Sequence, residues 1–400
     1  MRDKPTGVGW ALALNYAAMM CLAIAVNLIP VFLTTLSTDL GGPAGLTKEQ
    51  LGRLGGITFA GVVAGVALTG PLADRWGAKP FALGGNLLLC LGLALLGVAP
   101  GYGAVLLAVF VMGFGAGTLD MILSPIVCAL QPTRRTAAMN WLHSFYCTGA
   151  VATILVASLA LRLGAGWRAI ALGLLPLPAL VAAGFARLRM PALVQAGEQR
   201  TRLRQLVRLP YFGVALAAIF FAGATELGMA QWLPAYAEYT LGFSTWTGGM
   251  ALLSFSIAMA VGRIVAALLG PRFNAFQMMG VCCWTSVGLF LVACFSPIST
   301  LALTACVAAG LTGSCLWPSM LGVAGDRFPQ GGASMFGLLA ALGNFGGVFM
   351  PWLVGVAADA ASLRWGLSTA TLCPLLMGLA LLWLQRSGGP ASARHCQAGP

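Results

Sequence analysis

The chain has 400 residues, of which 59% are hydrophobic and only 8% charged, a balance that excludes a water-soluble globular domain and marks an integral membrane protein. The net charge of +12 raises nucleic acid as a partner, but the basic residues are spread over the connections between apolar runs, as a membrane topology signal requires. Ten of the eleven cysteines sit inside those runs, where Cys packs as a small hydrophobe, so no disulfide framework is expected.

A helix needs about 20 apolar residues to cross a bilayer, and the first such window, about 10–36, follows the basic start MRDKPTGVGW. It is too long for a signal-peptide core and reads as a retained helix, with Asn27 near its middle. A second window, 51–73, runs into the connection GPLADRWGAKP at 70–80. There Asp74, Arg75 and Lys79 at a helix end can form charge-assisted pairs that hold one conformation and break in another. Gly70 admits a neighbouring helix and Gly77 a tight turn. The third window is 80–99.

The fourth window, 102–130, holds MGFGAGTLDMILSP and the acid Asp120. An ionised carboxylate at mid-membrane costs upwards of about 2.5 kcal/mol, so it must face water or a partner, or carry a proton. Gly113, Gly117, Asp120 and Ser124 share one helix face, which reads as a cavity wall; a buried neutral acid serving packing is the alternative. The fifth window, 137–161, places Asn140, His143 and Cys147 at spacings of three and four. His143 is within about a turn of the depth of Asp120, and either a His–Asp proton pair or a histidine bonded to backbone fits.

After the sixth window, 168–187, the connection 188–209 is long, polar and rich in Arg. It fits a solvated cytoplasmic linker or an amphipathic segment on anionic headgroups, and it divides an N-terminal half, 1–187, from a C-terminal half, 210–400. Window seven, 211–238, carries the acid Glu226, then Gln231, Trp232 and Tyr236 around Pro234. Pro234 removes a backbone donor and can break the helix. Polar groups beside broad rings suit a sugar, whereas an aromatic belt at the membrane surface is the other reading of Trp232 and Tyr236.

Windows at 247–270, 276–296, 298–323, 333–357 and 364–385 complete twelve, with Trp317 and Asn344 as cavity-wall candidates in the tenth and eleventh. GFGAGTLD (113–120) lies over GLTGSCLW (310–317) at a shift of 197, which points to two repeated bundles. With both termini cytoplasmic, 17 Lys and Arg, Arg263 among them, fall on the inner side and five on the outer, the asymmetry of an oriented multi-pass protein. The expected fold is all-α, two six-helix bundles, in a plasma membrane or a Gram-negative inner membrane.

The order G-x-L-A-D-R-x-G-x-K in the 70–80 connection, with twelve helices and the central linker, resembles the signature of the major facilitator superfamily. The 262–274 connection, GRIVAALLGPRFN, keeps Gly262, Arg263 and Gly270 of a second copy without the acid. Helices four, five and seven resemble the fucose/glucose symporter branch, with departures at Ser124 and Cys147. The resemblance implies a secondary transporter moving a small polar solute, a sugar, by alternating access coupled to protons or sodium. Asp120, Glu226 and His143 would serve coupling or substrate, and the 70–80 connection would act as a gate. Export of amphipathic or cationic compounds is the rival reading, and a transporter-like receptor or scaffold a third. No Walker loop, Cys/His metal spacing, nucleophile elbow or dinucleotide fingerprint occurs, so no enzyme, metal or cofactor is expected. The partners expected are a small-molecule substrate, the coupling ion and the lipid bilayer, with the chain a monomer.

Overall fold

The structure is a computed structural model that describes residues 8–41, 45–46, 48–188, 190, 193 and 201–387. The tails 1–7 and 388–400 and much of the expected basic linker, with Arg189 and Arg200, lie outside the described residues. What is described of the linker ends in a one-turn helix, Leu203–Leu206. Among the described residues the regular structure is entirely helical, and twelve helices are long and apolar enough to cross a bilayer.

Two compact units emerge, Met1–Thr133 with Trp141–Arg200 and Pro329–Ala341, and Arg134–Asn140 with Thr201–Phe328 and Leu342–Pro400. Set against the sequence boundaries at 187 and 210, the segments 134–140 and 329–341 go with the opposite half.

The first unit contains α1 Val8–Leu40, α2 Lys48–Trp76, α3 Lys79–Gly97, α4 Tyr102–Leu130, most of α5 Arg135–Arg162 and α6 Trp167–Arg187. α4 is its centre and packs on α1, α2 and α3. Lipid tails are as apolar as the helices, so close backbone approach between small residues holds such a bundle. Gly61 and Gly65 on α2 meet Gly113 and Gly117 on α4, and a Cβ on either α4 glycine would press on the carbonyl oxygen of Thr58 or Val62. These two glycines therefore form a packing face against α2. The cavity wall read from their spacing does not extend to them.

The second unit contains α7 Pro210–Thr240, α8 Thr245–Leu269, α9 Ala275–Phe295, α10 Ser299–Arg327, most of α11 Gly332–Ala360, and α12 Leu363–Ser387. Ser244 caps α8 by accepting from the Thr247 N–H, and Asn274 caps α9 by accepting from Phe276. The glycine contacts of the first unit recur here at a displacement of 197. Gly113 faces Thr58 as Gly310 faces Phe255, and Gly65 faces Phe114 as Gly262 faces Leu311. Gly149 on α5 meets Met20 of α1, and Gly346, 197 residues on, meets Phe220 of α7, a partner 200 residues on. The repeat read from few identities is thus present in the packing of each unit.

Several helices are broken where the sequence windows were continuous. α6 is interrupted at Leu175 before Pro176, α7 at Gln231–Trp232 before Pro234, α10 at Ser314–Cys315 before Pro318, and α12 at Ala370–Thr371 before Pro374. Each proline lacks the N–H that its preceding turn needs. Beyond its break α7 ends in a π turn, Tyr236–Thr240.

Candidate functional site

Candidate residues lie on helices of both units. In the first unit Asp120 is half-buried on α4, one turn before the buried Ser124. His143 is buried on α5, and Asn140, buried on the same helix, belongs to the second unit. Asn27 is half-buried and donates its Nδ2 to the Ala23 carbonyl, 2.8 Å away, so part of its hydrogen-bonding capacity is met within α1.

The 70–80 connection is organised by two helix ends. The Asp74 carboxylate accepts from the N–H of Ala333 at 2.8 Å and of Ser334 at 3.0 Å, and from the Ser334 hydroxyl. It thereby caps the first turn of α11, where unsatisfied N–H groups and the helix dipole favour an anion. The Lys79 ammonium donates to the Ala186 carbonyl at 2.7 Å, near the negative end of α6. The helix termini take these bonds because their orphan groups are oriented and charged. Gly70 lies where a Cβ would be 3.4 Å from the Ser334 Cα. Gly77 has φ +77°, a left-handed turn that favours glycine, and Arg75 is exposed.

The second unit holds a counterpart of different chemistry. Arg135, at the start of α5, pairs with Asp326 at the end of α10, N to O 3.1 Å, and Gly270 approaches Ala137. Deeper in α5, Asn140 donates to Ser319 Oγ at 2.8 Å and to the Thr136 carbonyl at 2.9 Å.

Glu226 departs most from expectation. Its carboxylate lies 2.8 Å from Nη2 of Arg263. Sequence placed Arg263 in a cytoplasmic connection, but α8 continues to Leu269, so Arg263 sits about 9 Å inside the helix. Its side chain is 3% exposed and that of Glu226 is 15%. The guanidinium is held from a second side, Nε donating to the Ser314 carbonyl at 3.0 Å, while Nη2 also approaches the Met259 sulfur at 3.9 Å. Ser314 is the residue four before Pro318, so its carbonyl is the one that proline leaves without a helical partner. The break in α10 and the seat of Arg263 are one feature.

One signal in the sequence leads to this residue. At the displacement of 197, Arg263 falls on Val66, which is 2% exposed in the first unit, and Pro318 falls on Met121. Both are mid-helix positions.

The remaining candidates surround this pair or pack elsewhere in the unit. Trp317 follows the α10 break and lies against Gly223 and Gly343, where any Cβ would strike its ring. Trp232 donates its indole N–H to the Pro351 carbonyl at 2.9 Å. Tyr236 is fully buried, its hydroxyl donating to Ala293 at 2.8 Å. Both aromatic polar ends are thus engaged by backbone. Gln231 is exposed and Asn344 half-buried.

The family model described as the Major Facilitator Superfamily matches residues 16–283. The chain belongs to this superfamily. Its superfamily relatives include the provisionally named niacin/nicotinamide transporter NiaP of Bacillus subtilis, 27% identical over 78% of this chain and 80% of that one. The provisionally named nitrate/nitrite transporter NarK2 of Mycobacterium tuberculosis is 26% identical over 81% and 84%. Among solved superfamily structures, FucP, the Escherichia coli fucose:proton symporter, superposes with TM-score 0.81 at 19% identity, covering 94% of this chain and 98% of that one. The proton:xylose symporter XylE gives 0.78 at 12% identity, covering 94% and 95%. At these identities the structures share the fold. The chain is a multi-pass membrane transporter and not an enzyme.

Proposed function

We propose that the protein is a proton-coupled secondary transporter of a small polar solute, working by alternating access, with Glu226 as the coupling acid. The observation that carries this is the buried ion pair Glu226–Arg263. Arg keeps its charge at any working pH, so a proton arriving on Glu226 breaks this pair from the carboxylate side. Breaking a buried pair by removing one partner costs about 3–5 kcal/mol, while moving a two-state equilibrium from 1:99 to 99:1 takes about 5.5 kcal/mol. One proton on Glu226 therefore supplies a large part of a conformational switch. Asp120 and His143 in the first unit are the second candidates for proton handling, and the Asp74 cap on α11 is the gating contact. In this reading both termini and the 70–80 connection face the cytoplasm, as the Lys and Arg distribution favours.

A sugar cargo has the support of FucP and XylE, whose names carry fucose and xylose. Against it, the hydrogen-bonding ends of Trp232 and Tyr236 are already occupied. The test is uptake of labelled solutes, sugars and organic acids, into proteoliposomes with and without an inward proton gradient, comparing Glu226→Gln and Asp120→Asn with the parent. Gradient-driven uptake lost in Glu226→Gln is the expected result. Uptake that ignores the gradient and is unchanged in both variants would remove the coupling proposal.

A further inference from the structure

Cys282 on α9 and Cys315 at the break of α10 meet within the second unit, Sγ to Sγ 3.5 Å, both as free thiols. Packing alone asks for a small apolar side chain and sets no requirement for a second sulfur opposite the first. The contact is held in register on the neighbouring turn by the hydroxyls of Ser286 and Thr312, 2.7 Å apart. The adjacent Cys283 is buried and turned towards α12, its Cβ 3.5 Å from where a Cβ on Gly378 would stand. Cys282 is the half-buried member of the pair, and its neighbours Val281 and Trp284 are exposed, so a small neutral oxidant can reach it from the exposed side of α9. Cys315 is buried, and its S–H donates to the Cys282 sulfur.

We propose that Cys282 and Cys315 form a modification site, a dithiol that a hydroperoxide converts to a disulfide between α9 and α10, and that this bond holds the α10 break in one conformation. The two sulfurs have about 1.5 Å to close to reach the roughly 2.05 Å of a disulfide. In the first step the Cys282 sulfur attacks one peroxide oxygen, the O–O bond breaks, and the thiol proton leaves with the other oxygen as water. The sulfenic acid left on Cys282 is then attacked by the Cys315 sulfur: the S–S bond forms, the S–O bond breaks, and a second water carries away the Cys315 proton. The two thiols give up two electrons, and the peroxide is reduced to two waters.

The bond falls where it can act. Cys315 follows Ser314, whose carbonyl receives the Arg263 Nε, and it precedes the half of α10 that starts at Leu316. A cross-link removes freedom from the chain that it closes, here the turn that presents that carbonyl. The response to oxidation is independent of which solute the protein carries.

Liposomes holding the full chain are treated with hydrogen peroxide, free thiols are capped with N-ethylmaleimide, and the peptides are mapped by mass. The expected product is a peptide pair joined through Cys282 and Cys315, lighter by the two thiol hydrogens and separated by dithiothreitol. Cys283→Ser should form the same bond, and Cys315→Ser should leave Cys282 as a sulfenic acid that dimedone captures. Capped thiols at both Cys282 and Cys315, an oxidised Cys282 beside a capped Cys315, or a bond from Cys282 to Cys283 would each overturn the site, and the parent chain alone decides this whatever the folding of the variants. In the oxidised parent, hydrogen exchange over 311–317 should slow by about thirtyfold, the low end of a disulfide's usual contribution. Equal exchange in the oxidised and reduced forms would overturn the hold on the α10 break.

Discussion

Glu226 and Arg263 form a buried pair, and a single substitution should reveal its weight. Glu226→Gln removes one partner of that pair and is expected to lower stability by about 3–5 kcal/mol. Thermal unfolding of the detergent-solubilised protein checks this, and a Glu226→Gln variant as stable as the parent would contradict the pairing. A second residue-scale effect lies outside the spans. Hydrogen bonds from Arg168 and then Trp167 hold the Asp39 carboxyl below its ordinary range, with Arg168 Nη1 at 2.7 Å and Trp167 Nε1 at 3.0 Å. Arg168 is placed for this by the Ala99 carbonyl and by its position 4.1 Å over the Trp167 ring. A depressed acid contributes stability that is present above the ordinary Asp value of about 3.9 and is lost as pH falls through the lower, folded value. Asp39→Asn should flatten the stability profile below about pH 4 and leave its neutral limb nearly parallel to the parent, since the pair is exposed.

Helices carry two further expectations. Gly113 and Gly310 occupy equivalent positions on α4 and α10, and a Cβ at either would press on a carbonyl oxygen, of Thr58 or Phe255. Each Gly→Ala change should cost about 1–3 kcal/mol through the forced separation. Gly280, on α9 with nothing near its Cβ direction, should tolerate Ala and gain up to about 1 kcal/mol of helix propensity. Unfolding measurements on the three variants test whether approach or propensity governs. For α10, Pro318→Ala returns an N–H that can claim the Ser314 carbonyl from Arg263. That variant should be at least as stable as the parent and transport at less than about a tenth of its rate, the loss of one oriented hydrogen bond to a charged group. The elements were readable because hydropathy reports membrane windows directly and a proline names the carbonyl it frees by counting back four. Arg263 was not readable by that route. Charges in such a chain mark helix ends so regularly that a charge six residues before an end is drawn into the loop, and only the repeat displacement, which sets Arg263 on Val66, separates the cases.

Two helices are shared between the compact units. α5 gives its start, through Asn140, to the second unit, and α11 gives its start, through Ala341, to the first. The contacts at these starts differ chemically, a carboxylate on backbone N–H groups at α11 and an exposed ion pair at α5. Sequence order in the 70–80 connection announced that Asp74 matters; it gave no hint that the partner is α11, because backbone N–H groups have no sequence signature. If Asp74 holds the α11 start, its removal should loosen that start. Loss of a side-chain cap at a helix N-terminus costs about 0.5–2 kcal/mol, equivalent to about a two- to thirtyfold rise in local opening. Asp74→Ala is accordingly expected to speed hydrogen exchange in the 329–341 segment by that factor. Exchange that stays at the parent level in 329–341 would show that the cap does not hold α11.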